Sequence, residues 1–196
     1  MDVSYSVLLS LYYKEKPEHL RVSLDSIFNQ TLVSDDVVLV EDGSLGDALE
    51  SVVKEDEVRY PQLHVVRFEK NRGLGFALND GLAYCKHELV ARMDTDDIAK
   101  PHRMEKQFTF MQAHSEIGMI GSWIDEFITD IHQIESVRKV PEHPKEVMEY
   151  AKKRCPVNHP TVMYRKNAIL SVGGYKPDAG PRQDDYDLWF RCAEKG

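Results

Sequence analysis

The chain has 196 residues, of which 42% are hydrophobic and 30% charged, and its formal net charge is −8. That length and apolar content suit one large domain or two small ones with a real core, and the acidic balance argues against a general nucleic-acid binder, which needs a basic face. A phosphate-bearing small molecule stays open, because one local cluster of arginine, backbone N–H groups and metal is enough to hold it.

Three cysteines, Cys85, Cys155 and Cys192, stand far apart without C-x-x-C spacing and read as reduced core thiols of a cytosolic protein. The opening "MDVSYSVLLSLYY" has no basic leader, and its apolar run is too short for a signal peptide or a membrane span.

Strand and helix alternate through the first half. "SVLLSL" (6–11) is an apolar run fit for a strand buried on both faces. Pro17 suits the first position of a helix whose apolar stripe is Leu20, Leu24, Ile27 and Phe28. A second buried strand, "DVVLV" (36–40), precedes the stripe Leu45, Ala48, Leu49, Val52 and Val53. "LHVVRF" (63–68) is a third strand, followed by the stripe Leu74, Ala77, Leu78, Gly81, Leu82 and Cys85. "ELVARM" (88–93) is a fourth. Strands alternating with amphipathic helices predict βαβ crossovers and a mainly parallel sheet.

The rhythm changes after residue 97. Pro101 and His102 lead into a helix with Met104, Phe108 and Met111 on one side. A strand is expected at 117–123, a hairpin or strand pair within 127–140, a helix over 144–154, a strand at 160–165 and a turn at Gly173-Gly174. "DDYDLWFRCAEKG" (184–196) reads as a helix with an acidic start and Gly196 as its cap, with Leu188, Trp189 and Cys192 in the core. The pattern stops midway, so the chain is expected to continue in a longer protein.

Ligands of open parallel α/β sheets bind beyond the carboxyl ends of the strands. Ser10, Tyr12 and Tyr13 follow the first strand; Glu41, Asp42, Gly43 and Ser44 the second; Asn71, Arg72 and Gly73 the third; Asp94, Asp96 and Asp97 the fourth. Three carboxylates in four positions repel one another unless water or a cation lies among them. Mg²⁺ and Mn²⁺ take oxygen ligands and often use one or two protein carboxylates plus substrate phosphates. A calcium loop is excluded, because Ile98 and Ala99 occupy the places where its ligands would continue.

On local grounds each feature has a plainer reading. A D-x-D is commonly a solvated loop, Asp42 with Gly43-Ser44 a helix cap and turn, Arg72 a surface charge, and Asp184, Asp185 and Asp187 an acidic helix start. Tyr12 and Tyr13 either close the edge of the core or stack on a base. "GLGFAL" (73–78) is not a dinucleotide fingerprint, since Leu78 replaces the third glycine and the run follows the third strand.

"SVLLSLYYKE", "VVLVEDGS", "NRGLGFALNDGL", "VARMDTDDIAKPHRMEKQ", "HPTVMYRKNAILSVGGY" and "QDDYDLWFR" occur in an order that resembles the family 2 glycosyltransferases. The resemblance implies the GT-A nucleotide-diphospho-sugar transferase fold: a mainly parallel central sheet flanked by helices, with a mixed acceptor-side second half. Residues 1–97 would form the nucleotide-sugar-binding half of one catalytic domain and 98–196 the acceptor-side half.

The resemblance also implies an inverting enzyme with a nucleotide-sugar donor, UDP-linked by the Asp42 correspondence, and Mn²⁺ or Mg²⁺ as cofactor. A glycan or lipid-linked glycan would be the acceptor, in polysaccharide or cell-surface glycan synthesis. The expected location is cytoplasmic, with peripheral contact at the inner face of a membrane left open. Carried over by position, Ser10 and Tyr12 touch base and ribose, Asp42 reads the uracil N–H, and Asn71 with Arg72 contacts the nucleotide. Asp96 binds the metal, Asp94 faces ribose or donor sugar, Asp97 is no direct metal ligand, and Asp185 is the catalytic base, with Asp184 where the family has Glu. His159 is open to an acceptor-side role, and His102 to a structural one.

Two other classes fit parts of the pattern. A sugar nucleotidyltransferase would show a glycine-rich basic loop after the first strand, where "SLYYKEKPEH" has no glycine. A non-catalytic nucleotide-sugar-binding domain would bind donor without turnover.

Overall fold

The computed structural model describes residues 5–176 and 184–195. Its main sheet has six strands in the order β3-β2-β1-β4-β8-β5. The first four in sequence, β1 (Tyr5–Leu11), β2 (Asp36–Glu41), β3 (Leu63–Arg67) and β4 (Leu89–Arg92), are mutually parallel. Two late strands, β5 (Met119–Ile120) and β8 (Met163–Arg165), extend the sheet antiparallel to their neighbours. The expected mainly parallel sheet with a mixed second half is what forms.

Alternation along each strand sends side chains to two faces. Val7, Leu9, Leu11, Val37, Leu39, Ala91 and Met93 pack on one side with α1 (Pro17–Phe28), α2 (Asp47–Arg59) and α4 (Arg103–Ala113). Leu8, Val38, Val40 and Val90 pack on the other with α3 (Leu74–Tyr84), α6 (Lys166–Ser171) and α7 (Asp184–Lys195). Helices on both faces explain why the strands read as continuous apolar runs. The stripes of α1 and α4 are buried as expected, whereas Ala48 and Leu74 end exposed at the first turns of their helices.

The second half departs from the expected spans. The strand expected at 117–123 is only two residues long. Beyond it the backbone is held by side chains instead of a ladder: Ser122 N–H donates to Thr161 Oγ1 at 2.9 Å and Asn158 Nδ2 donates to the Ser122 carbonyl at 3.0 Å. The strand expected at 160–165 starts at Met163, because Pro160 has no N–H for a ladder and sits in a 3₁₀ turn, His159–Thr161. The hairpin pairs β6 (Ile124–Glu126) with β7 (Ser136–Arg138), so its first strand precedes the expected span. Helix α5 (Pro144–Ala151) ends three residues early, and α6 was not expected. Gly173 and Gly174 do turn, both at positive φ. Gly196 lies outside the described residues.

Candidate active site at the carboxyl rim of the sheet

Strand order reverses at β1, which has β2 on one side and β4 on the other. A crevice opens at such a point beyond the carboxyl ends of the strands. By strand order the segments after β1, β2 and β3 lie on one side of it and the segment after β4 on the other.

The wall after β4 is residues 94–100, and α1 and the turn that follows it hold it. Ser23 Oγ donates to the Asp94 carbonyl at 2.9 Å, Ser26 Oγ accepts the Ala99 N–H at 3.0 Å, and Gln30 Nε2 donates to the Lys100 carbonyl at 2.9 Å. Ser23 and Ser26 stand at i, i+3 on α1 beside its apolar stripe, and Gln30 lies in the turn just past the helix end. Nothing in the sequence reading singled them out; the signal was polar residues with helical spacing on a buried face.

One carboxylate oxygen each from Asp94, Asp96 and Asp97 lies within 4.8 Å of the others. Asp97 belongs to this cluster, as its place after the fourth strand led one to expect. Its carboxyl is pushed up to about 6, by burial first and then by Asp94 and Asp96, against the pull of Arg92 and Arg103. Burial, then Asp94 and Glu15, also raises Asp96.

Two cations beneath the loop offset part of this charge. Arg92, buried on β4, forms an ion pair with Asp94. Half-buried Arg103 donates to the Arg92 carbonyl at 2.7 Å and contacts Met93 Sδ at 2.9 Å. The sequence did contain a clue, because an arginine inside a run read as a doubly buried strand must find a partner.

On the other wall, Ser10 is half-buried at the end of β1, and Tyr12 is 43% exposed with its ring edge-on to Tyr13. Asp42 is buried, and both its oxygens are engaged: Oδ1 accepts the Arg72 N–H and Oδ2 the Gly73 N–H, each at 2.8 Å. Asn71 Nδ2 donates to the Asp42 carbonyl at 3.1 Å. Asp42 therefore clasps the loop before α3 to the end of β2, and it caps neither α3 nor the helix that follows it in sequence. Gly43 permits the close approach, since at φ +87° a Cβ there would stand 2.5 Å from Asn71 N. The Arg72 guanidinium pairs with Asp80 at 2.7 Å and lies 4.7 Å from the Phe76 ring centre.

Asp185 is half-buried in the first turn of α7, with Cys155 Sγ 3.8 Å from Oδ2. His159 is buried, not open to an acceptor: Nε2 is 3.1 Å from the Tyr175 hydroxyl, and its ring meets Trp189 edge-on. Burial first, and then Arg92, holds it well below the usual histidine range and keeps it neutral. His102 is exposed beside Glu105. All three cysteines are free thiols; Cys85 is buried, while Cys155 and Cys192 are half-buried.

A mostly parallel sheet flanked by helices, with the strand order reversing at β1, is the GT-A glycosyltransferase fold. Residues 6–172 match the model of glycosyl transferase family 2, and the chain belongs to that family. It is 42% identical over 192 residues to the amylovoran biosynthesis glycosyltransferase AmsE of Erwinia amylovora, covering 98% of this chain and 70% of the relative. It is 36% identical to the UDP-Gal:alpha-D-GlcNAc-diphosphoundecaprenol beta-1,3-galactosyltransferase of Escherichia coli, covering 98% and 68%.

Among solved structures, the mannosyltransferase PcManGT of Pyrobaculum calidifontis, in complex with GDP-Man and Mn²⁺, superposes with a TM-score of 0.72 at 19% identity. That match covers 98% of this chain and 52% of the other. S. aureus TarS 1–349 in complex with UDP gives 0.70 at 18%, covering 96% and 54%. The chain thus spans about half the length of these structures. Among the described residues no helix is long and apolar enough to cross a membrane.

Proposed function

We propose that this chain is the donor-binding and catalytic part of an inverting glycosyltransferase that takes a UDP-sugar and glycosylates a hydroxyl of a glycan or lipid-linked glycan. The observation behind this reading is the convergence of Asp94, Asp96 and Asp97 on one point beside the crevice between β1 and β4. Hard carboxylate oxygens at that spacing fit a divalent cation that shares its remaining positions with a diphosphate. Asp96 would hold Mn²⁺ or Mg²⁺, which when bound supplies a Lewis acid to the leaving diphosphate.

The protein's own groups have the following roles in this reading. Ser10 and Tyr12 line the base and ribose. Asp42 fixes the 71–73 loop and keeps a lone pair on each oxygen toward the uracil. Asn71 and Arg72 flank the nucleotide, and Asp94 orients the ribose or sugar. Asp185 takes the proton of the acceptor hydroxyl as it attacks the anomeric carbon opposite the departing diphosphate, worth ~10²–10⁴ in rate for a well-placed base. Residues 98–196 frame the acceptor side. The relatives' names favour polysaccharide or cell-surface glycan synthesis. Free cysteines fit a cytoplasmic site of action, with peripheral contact at a membrane's inner face where the acceptor is lipid-linked.

The test is thermal shift with UDP, GDP and dTDP, each with and without Mn²⁺. UDP with Mn²⁺ is expected to raise the melting temperature most, and Asp96→Ala to abolish the gain. A shift of equal size without metal would refute the ligand assignment. Asp185→Asn is expected to keep the shift while turnover falls ~10²-fold or more. Equal loss of binding and turnover would reassign the base.

A further inference from the structure

We propose that Arg92 is a positioning residue of the donor site, holding one oxygen of Asp94 from beneath so that the other faces the ligand crevice. This rests on the donor-binding reading above. Strand alternation puts Arg92 on the same face as Val90, among the apolar residues that α7 covers, and it is only 1% exposed. Taking a guanidinium out of water is costly, and replacing a buried ion pair as a whole by apolar side chains of similar volume is often neutral or stabilising. Stability alone therefore gives little reason for an arginine here.

Its bonding points the same way. Half-buried Arg103 uses Nη2 on the Arg92 carbonyl at 2.7 Å and Nε on Gln107 Oε1 at 3.2 Å. Arg165 donates to the carbonyls of Ile117, Met111 and His114 at 3.0, 2.8 and 3.1 Å. Those two tie the chain together. Arg92 instead directs Nη2 at the Asp94 carboxylate, and its Nε and Nη1 are buried with no hydrogen-bond partner among the described residues. An arginine kept for architecture would satisfy those donors. Ser23 bonds the Asp94 main-chain carbonyl, and among the described residues no hydrogen bond other than that from Arg92 reaches its carboxylate. Arg92 thus sets its angle and also cancels one of three neighbouring negative charges that would repel a diphosphate.

The experiment compares Arg92→Met, Arg92→Lys, Asp94→Asn and the double variant Arg92→Met/Asp94→Asn. It measures melting temperature without ligand and the Kd for UDP in the presence of Mn²⁺, so no turnover is needed. Arg92→Met/Asp94→Asn, which removes the whole pair, is expected to melt at or above the wild-type temperature. Arg92→Met is expected to bind UDP·Mn²⁺ at least ~10-fold more weakly. Lysine keeps the charge but not the planar fork, and should recover part of the loss. Because Arg92 acts through Asp94, the double variant should bind no more than ~2-fold worse than the weaker single one.

Wild-type affinity in Arg92→Met overturns the proposal, as does a double variant whose loss is the product of the two single losses. If Arg92→Met does not fold, the same comparison with Arg92→Lys decides, by the same criterion. A wild-type chain that binds no diphosphate overturns the parent reading and this one together, whereas normal wild-type binding with multiplicative losses overturns this one alone.

Discussion

Glu41, the last residue of β2, stands directly before Asp42 and is itself buried. Its Oε2 lies 3.3 Å from Arg67 Nε, and Oε1 has no partner among the described residues. Burial pushes its carboxyl up from 4.5 to about 7, with Arg67 pulling the other way and Glu50 and Glu57 adding to the rise. A carboxyl whose pKa is higher folded than unfolded takes up a proton on folding between the two values. Its contribution to stability is complete below about 4.5 and is lost as pH rises through about 7. Glu41→Gln cannot titrate, and Arg67 keeps Glu57 at 2.6 Å. The variant should therefore melt ~2–4 °C above wild type at pH 8, for ~1 kcal/mol, and the gap should close at pH 5. Melting curves at both pH values check it; a gap that widens toward pH 5 means the carboxylate is ionised in the folded chain.

The same scale marks the limit of sequence reading for the site. Asp94, Asp96 and Asp97 were legible, because clustered acids after a buried strand need an explanation that any reader can ask for. The two arginines beneath them were not singled out, because a pairing between β4 and its own following loop depends on how far the chain turns after Met93. Asp42 was legible as a rim residue. That it clasps Arg72 and Gly73, thirty residues on, required knowing that β3 lies beside β2.

Among the elements, α3 lies hardest against the sheet. Gly81 faces β1 and β2, and a Cβ there would stand 2.6 Å from Val40 Cγ2 and 2.7 Å from Leu8 Cδ1. Two effects compete in Gly81→Ala. Helix propensity favours alanine by ~1 kcal/mol, whereas overpacking a filled core costs ~1–3 kcal/mol. Val40 is β-branched and stiff, and both neighbours are wholly buried in central strands, so the overlap should dominate. The variant should melt ~2–4 °C lower for each kcal/mol of net loss. A higher melting point would mean that α3 can slide off the sheet without cost.

Elements of the first half were legible almost to the residue because each had its own apolar period and its own boundary residue. Pro17 opens α1, and Gly73 at φ +95° precedes α3. The second half lacks that consistency. Strand β5 is short because side chains of the 158–161 turn hold its continuation, a contact between segments forty residues apart that no local pattern encodes.

For the molecule as a whole, the two apolar layers share the strands of one sheet, and no strand of the first half belongs to one layer alone. The first and second halves of the chain should therefore unfold together. Trp189 lies in the α7 layer and is buried, whereas Trp123 is exposed on the hairpin side. In a Trp123→Phe background, fluorescence of Trp189 and far-UV circular dichroism should give coincident midpoints in urea. Separated midpoints would mean that the second half is a distinct folding unit.

The sequence by itself determined the layered α/β architecture, the parallel orientation of its first four strands and the rim on which the polar residues gather, because burial on both faces forces continuous apolar strands and periodic helices that local composition records. Only the tertiary structure decided which groups at that rim touch: the hold of α1 on the acidic loop, the arginine beneath Asp94, the clasp of Asp42 and the burial of His159. Those contacts depend on distances between segments far apart in the chain, and such distances are set by how the layers pack, which no local period specifies.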